Sequence, residues 1–209
     1  GVQTCALPIC NIVAGLERVD SRNAPAYESN LARFEDQIMR RTFGDELIDM
    51  LGAETIFDLA RNHRFWDFAR SQSYGGRPLT SYLGGGLAEG APFRDSRIVC
   101  YHKNWAYFSA RFLVDCAMFV EPKPGIPPSP SHVRQVIDFI KREHIPVLLA
   151  ANYFSRTQVE RVASRAGVRA VIVPEHVDGA PGVDSYFDLI DLWVTSLAAA
   201  YGDAGTGGN

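Results

Sequence analysis

The 209-residue chain has no long apolar run and no concentration of positive charge. Its most apolar stretches, PVLLAA at 146–151 and VRAVIVP at 168–174, fall well short of the roughly 18 residues expected of a membrane-spanning helix. Asp and Glu number 24 against 21 Lys and Arg, and the formal net charge is -3. Because phosphate binding needs a concentrated positive face, this balance argues against nucleic acid as the main partner.

Motifs that mark nucleotide-binding and hydrolytic sites are also missing. No strand-like segment is followed by GxGxxG, and neither GxxxxGK[ST] nor GxSxG occurs. The GGG at 84–86 precedes the first strand of the predicted α/β region, so it is not placed to cradle a phosphate. These absences count against a small Rossmann-like enzyme, which stays open as an alternative interpretation.

Cysteine is scarce, with four residues in the chain. Cys5 and Cys10 lie in the opening segment, and Cys100 and Cys116 are too far apart for a CxxC metal pair. Because both later cysteines have apolar neighbours, the favoured interpretation is two buried thiols on adjacent strands. The alternative is a disulfide formed in an oxidising compartment.

The opening segment lacks an initiator Met, a charged stretch and the apolar core of a signal peptide. Residues 1–10, GVQTCALPIC, resemble the translation of a sequencing adaptor. We therefore expect this segment to be non-native and the natural sequence to begin near Asn11. The missing signal then says nothing about compartment.

The remaining sequence divides into a helical part and an α/β part. Apolar residues recur at helical spacing over 11–43, with an interruption between Asp20 and Pro25. Residues 44–93 form a predicted insertion of two short helices and a Gly- and Pro-rich loop. An α/β lobe over 94–201 and a flexible tail over 202–209 complete the predicted organisation.

Residues 97 to 201 alternate four times between a short apolar run and an amphipathic segment. Short continuous apolar strands separated by helices are typical of a parallel sheet. Ser129 and Ser155 have the sequence context of helix starts, and Gly167 that of a helix end. The predicted fold class is therefore α/β, a four-stranded parallel sheet with helices on both faces.

His102 follows the first of these strands and precedes a helix. In an open parallel sheet, ligands bind beyond the carboxyl ends of the strands. A helix N-terminus disfavours nearby positive charge, which helps to keep the imidazole in the neutral form that binds a metal. From chemistry alone, a hydrogen-bonded or surface histidine is the more common alternative.

His176 follows the fourth strand, whose carboxyl end should open onto the same crevice as His102. Glu175 and Asp178 flank it. The other histidines are predicted to be surface residues without a metal-binding role: His63, His132 and His144.

Four stretches carry a resemblance to a known family: YHKNWAYFSARF, EPKPGIPPSPSHV, IPVLLAANYFSRTQVERVASRAGVRAVIVP and GVDSYFDLIDLWV. In this order they resemble the C-terminal lobe of the zinc or manganese substrate-binding proteins of bacterial ABC transporters. The resemblance covers about residues 94 to 200 and continues weakly through the helix at 11 to 40. It implies two α/β lobes joined by one long rigid helix, which here is 11–43, with the first lobe missing.

The resemblance also implies a metal site between the two lobes. His102 falls on the histidine position of the second lobe, Asp178 is the predicted fourth ligand, and His176 is the second candidate for it. The implied ion is Zn²⁺, with Mn²⁺ as the alternative, because an imidazole ligand favours zinc. Since the first-lobe histidines have no counterpart here, we expect this chain alone to bind metal weakly.

The implied partner is an ABC transporter permease, and the implied location is periplasmic or extracytoplasmic, with or without a lipid anchor. The full-length parent is expected to be monomeric and to catalyse no reaction. An alternative is an adhesin-like surface interaction protein of the same fold, for which the 44–90 insertion would be the feature to test.

Overall fold

The computed structural model describes residues 6–121, 123 and 125–202. It contains two compact units, which divide between Ala88 and Glu89. Of the predicted non-native segment, residues 1–5 lie outside the described residues and the remainder begins the first helix. The predicted tail also lies outside them, apart from Gly202 at the end of the last helix. No helix within the described ranges is long and apolar enough to cross a membrane.

The first unit is built mainly of helices. Its helices are α1 (Ala6–Val19), α2 (Ala24–Phe43), α3 (Asp45–Leu51), α4 (Ala53–Arg61) and α5 (Phe65–Ser71), and α6 (Gly85–Glu89) spans the division between the units. Two helices were predicted between residues 44 and 70, and the structure has three. Gly52, with a φ of 81°, ends α3 and precedes α4, so residues 45–61 form two helices.

An antiparallel hairpin of β1 (Ser73–Tyr74) and β2 (Arg77–Pro78) stands where the sequence predicted a loop. Gly75 and Gly76 form its turn with φ values of 55° and 78°, which glycine adopts without a steric penalty. This Gly-Gly pair is the signal that the sequence-based prediction overlooked.

The single linker helix predicted over 11–43 is wrong, because α1 folds back against α2. The Sγ of Cys10 lies 3.9 Å from Oε1 of Glu35, a residue 25 positions away. A continuous helix would separate residues so spaced by about 37 Å. The chain turns after Asp20, whose carboxylate accepts a hydrogen bond from the Tyr27 hydroxyl at 2.8 Å. The interruption predicted at Asp20 is therefore confirmed.

The second unit contains the predicted parallel sheet. Its strands are β3 (Arg97–Cys100), β4 (Asp115–Phe119), β5 (Val147–Ala151) and β6 (Arg169–Val173), and its helices are α7 (Ala106–Phe112), α8 (Pro130–Arg142), α9 (Arg156–Ala166) and α10 (Tyr186–Gly202). All neighbouring strands run parallel, in the order β4-β3-β5-β6. The predicted fold class is confirmed.

Helices cover both faces of this sheet. One face packs Val99, Leu148 and Ala150 against buried residues of α8 and α9. Neighbouring strand residues such as Leu149 point to the opposite face, because side chains alternate along a strand. There α7 and α10 pack together, with the rings of Phe108 and Trp193 5.7 Å apart.

The helix ends in this unit follow two of the three sequence signals. The Ser129 hydroxyl accepts a hydrogen bond from the His132 backbone N–H at 3.2 Å, which caps α8 as predicted. Gly167 ends α9 in the left-handed conformation, also as predicted. Ser155 precedes α9, but its side chain makes no capping hydrogen bond.

A disulfide joins Cys100 on β3 to Cys116 on β4, so the favoured interpretation of two free thiols is wrong. The register of the two strands shifts between Ile98 and Val99. The Cα atoms of the two cysteines lie 5.4 Å apart, within the range that a disulfide requires.

Candidate metal centre

Four polar side chains stand at equivalent positions along the carboxyl edge of the sheet. His102, Glu121, Tyr153 and Glu175 each lie two residues beyond the end of a strand, namely β3, β4, β5 and β6. Because the strands are parallel, these positions share one edge, where open α/β sheets bind their ligands.

Strand order places a crevice between the loops that follow β3 and β5. From β3 the chain continues to β4 on one side, and from β5 it continues to β6 on the other. A reversal of this kind marks the usual binding crevice of an open α/β sheet. The two loops are linked here by a hydrogen bond of 2.9 Å from the Asn104 side-chain amide to the Tyr153 hydroxyl.

Glu121 contacts His102 at the Nδ1 atom of the imidazole. This nitrogen lies 3.7 Å from Oε2 of the Glu121 carboxylate and 3.4 Å from the backbone carbonyl oxygen of Glu121. The side chains are only 16% and 8% exposed, so neighbouring atoms restrict both. The Glu121 backbone N–H donates to the Tyr101 carbonyl at 2.7 Å, which fixes the end of β4. With Nδ1 engaged, Nε2 is the nitrogen that His102 can offer to a ligand.

Glu175 is partly buried, and its surroundings change the pKa of its carboxyl group. Its pKa is raised above the ordinary value, chiefly because burial disfavours the charged carboxylate. A hydrogen bond from Tyr153 and the charges of His102 and His176 act in the opposite direction. The pKa of Tyr153 is also raised, first by burial and then by the nearby Glu175 charge.

The predicted ligands Asp178 and His176 both have exposed side chains in the turn after β6. The backbone N–H of Asp178 donates to the Val183 carbonyl at 2.8 Å, and Asp178 adopts a left-handed φ of 62°. His176 acts electrostatically on Glu175. Glu175, unlike these two residues, is partly buried, and its position two residues beyond a strand was the signal in the sequence.

The remaining histidines have other surroundings. His63 and His144 are exposed, as predicted. His132 is half-buried instead, and its Nε2 lies 2.9 Å from the Phe119 carbonyl oxygen at the end of β4. His132 therefore supports the strand end that precedes Glu121.

Among the residues that the structure describes, no group of three or more His, Cys, Asp and Glu side chains is arranged to hold a metal ion. At the carboxyl edge, the Nε2 atom of His102 is the ring nitrogen left for a ligand, and the carboxylates of Glu121 and Glu175 lie at equivalent positions beyond their strands.

Solved structures with the same fold include metal-binding proteins. The solute-binding protein FpvC from Pseudomonas aeruginosa in complex with Mn²⁺ is 21% identical, with a TM-score of 0.59 over 93% of this chain and 58% of that one. An Mn-bound point mutant of a periplasmic metal-binding protein from Candidatus Liberibacter asiaticus is 16% identical, with a TM-score of 0.60 over 94% and 59%. A crystal structure of ZnuA is 18% identical, with a TM-score of 0.56 over 91% and 55%.

This chain thus spans somewhat more than half the length of those proteins. Residues 84–200 match the family described as zinc-uptake complex component A, periplasmic, or ZnuA. The resemblance recognised in the sequence is therefore confirmed. Since the match covers more than half of the sequence, the chain belongs to the ZnuA family.

Proposed function

We propose that this chain provides one side of a metal-capture site whose cargo is a divalent cation, with Zn²⁺ preferred. His102 binds the ion through Nε2 and Glu175 binds it through a carboxylate oxygen. The remaining ligands come from another lobe of the whole protein, and the loaded protein delivers the ion to an ABC transporter permease. The main support is the position of both side chains at equivalent points beyond β3 and β6.

Glu121 acts on the metal indirectly, through His102. A histidine that binds a metal with one nitrogen commonly has the other nitrogen paired with a carboxylate or carbonyl group, which fixes the tautomer and the orientation of the ring. The Nδ1 atom of His102 is near both kinds of group in Glu121. The imidazole is therefore oriented before the ion arrives.

The donor atoms favour zinc over manganese. Zinc accepts one nitrogen and one oxygen ligand readily in a four-coordinate shell, whereas manganese prefers a shell of oxygen atoms. Two of the structures with this fold hold Mn²⁺, so manganese is the competing cargo. The ligands from the other lobe contribute to the final preference.

Glu175 replaces Asp178 as the proposed carboxylate ligand, because Glu175 lies partly buried two residues beyond β6, whereas the Asp178 side chain is exposed. His176 stays the second candidate, since its charge acts on Glu175. The Cys100–Cys116 disulfide supports a periplasmic or extracytoplasmic location, where such bonds persist.

A zinc titration of this chain by isothermal calorimetry tests the proposal. With two protein ligands, the chain should bind one Zn²⁺ per molecule with a dissociation constant above about 1 μM, far weaker than a complete site. The variant His102→Ala should show no saturable binding, while His63→Ala, which removes an exposed histidine elsewhere, should match the wild type. Unchanged binding by His102→Ala would contradict the assignment.

A further inference from the structure

The loop after β5 lies between the two loops that carry the proposed ligands. In the sheet order β4-β3-β5-β6, His102 follows the strand on one side of β5 and Glu175 follows the strand on the other side. Neither proposed ligand comes from β5 itself. The separation of the two ligands along the carboxyl edge therefore depends on how the three loops are held together.

Asn152 links the loop after β5 to the loop that carries Glu175. Its side-chain amide donates a hydrogen bond to the Gly179 carbonyl oxygen at 2.8 Å, across 27 positions of the sequence. Asn152 is the first residue beyond β5, and the residues at the same point after β3 and β4, Tyr101 and Val120, are buried. Asn152 is exposed instead. Its side chain thus serves a contact between loops and not the packing of the core.

The chain through Glu175 is held on both sides. Before it, the Pro174 carbonyl oxygen accepts a hydrogen bond from the Trp193 indole N–H on α10 at 2.6 Å. After it, Asn152 holds the carbonyl group of Gly179. A Cβ atom at Gly179 would lie 2.6 Å from the Cβ atom of Pro174, so the loop folds closely onto its own start and only glycine fits there. Two side chains from other elements therefore fix the path of the loop.

The loop after β5 is also linked to the loop that carries His102. The Asn104 side-chain amide donates to the Tyr153 hydroxyl oxygen at 2.9 Å, and Asn104 is two residues beyond His102. Tyr153 directly follows Asn152, so adjacent residues of one loop contact the loops on either side. Hydrogen bonds thus join the three loops in series.

We infer that Asn152 is a positioning residue, which holds the loop after β6 so that Glu175 is in place relative to His102 before the ion arrives. This inference rests on the proposed function, because it takes Glu175 and His102 as metal ligands. Asn152 does not itself bind the ion. Ligands that are held in position bind more tightly than ligands on a free loop, because less ordering is needed on binding. Removal of the hydrogen bond should therefore weaken metal binding through Glu175.

Hydrogen–deuterium exchange of the metal-free 209-residue chain tests whether Asn152 holds the loop. In the wild type, the Asp178 backbone N–H donates to the Val183 carbonyl at 2.8 Å, so its exchange rate reports the opening of this loop. In Asn152→Ala we expect exchange at Asp178 to be about 2–10-fold faster, as the loss of one hydrogen bond implies. Circular dichroism establishes that the variant has folded.

Asn62→Ala is the matched control. The Asn62 side-chain amide donates to the Asp58 carbonyl at the same distance of 2.8 Å, and this hydrogen bond is also exposed. Asn62 follows α4 in the first unit and belongs to none of the three loops. This variant should leave both the exchange at Asp178 and the zinc affinity unchanged.

A calorimetric titration with Zn²⁺ tests the effect on the metal site. Asn152→Ala should lower zinc affinity by about 10-fold, the lower end of the range for residues that orient metal ligands. In a Glu175→Gln background, the same substitution should cause little further loss, because the carboxylate that the loop positions is gone. A purely structural role would lower the affinity equally in both backgrounds.

Unchanged exchange at Asp178, unchanged zinc affinity, or an equal loss of affinity in the two backgrounds would overturn the role of Asn152. His102→Ala separates this result from a failure of the proposed function. If His102→Ala abolishes binding and Asn152→Ala leaves the affinity unchanged, the metal site stands and only the positioning role is lost. If His102→Ala binds like the wild type, the proposed site itself is wrong and the positioning role is lost with it.

Discussion

Among individual residues, the choice of the carboxylate ligand is where our proposal departs from the sequence-based prediction. The loop after β6 contains two acidic candidates, Glu175 and Asp178, and the sequence alone favoured Asp178 by family resemblance. The structure shows Glu175 two residues beyond its strand, in the same relation as His102 to β3. Such equivalence depends on where each strand ends, and strand ends are the least certain part of a sequence-based prediction.

The variants Glu175→Gln and Asp178→Asn distinguish these candidates. Each removes one negative charge and keeps the side-chain shape, so neither should alter folding strongly. Glu175→Gln should weaken zinc binding by about 10-fold or more, because a neutral amide oxygen is a poorer zinc ligand than a carboxylate. Asp178→Asn should bind like the wild type in the same calorimetric titration. The reverse result would restore Asp178 as the ligand.

His102 shows what the sequence could predict about the site. Its place after an apolar run and before a helix was enough to locate it at the carboxyl edge. The contact that orients it, from Glu121, was not predicted, because Glu121 is 19 residues away and reaches His102 only through the pairing of β3 with β4. Contacts between chain segments of this kind require the strand order.

Among helices and strands, the α/β region was predicted well and the first half was not. Each strand of β3 to β6 is a short apolar run, and each helix between them has one apolar face, so local pattern and tertiary packing agree. In the first half, the same helical spacing continues on both sides of Asp20. The spacing indicated two helical segments, but it could not indicate that α1 turns back onto α2.

The disulfide between β3 and β4 offers a test of how these two strands are stabilised. It closes a loop of 16 residues beside the strand ends that carry His102 and Glu121. Cross-linking a loop of this size stabilises a protein by about 3 kcal/mol, mainly by restricting the unfolded chain. Urea unfolding of the reduced chain should therefore give a free energy of unfolding lower by about that amount than for the oxidised chain.

The double variant Cys100→Ala/Cys116→Ala is the control for this measurement. It has no bond to reduce at this position, so a reductant should not change its unfolding midpoint. Equal stability of the oxidised and reduced wild-type chains would show that the bond does not stabilise these strands.

For the whole molecule, membership of the ZnuA family and the composition of the site lead to the same expectation. The chain covers 55–59% of the three matched proteins described above. Among its described residues, no group of three or more His, Cys, Asp and Glu side chains could hold a metal ion, whereas a zinc site in a protein commonly has three or four protein ligands. In our proposal, a tight site forms only when another lobe closes on His102 and Glu175.

Crystals of this chain soaked in zinc chloride would show the ion directly, through anomalous diffraction at the zinc absorption edge. We predict one strong peak at about 2.0–2.2 Å from both the Nε2 atom of His102 and one oxygen of Glu175, with water completing the shell. A peak bound by Asp178 without His102, or no peak at the carboxyl edge of the sheet, would contradict the proposed site.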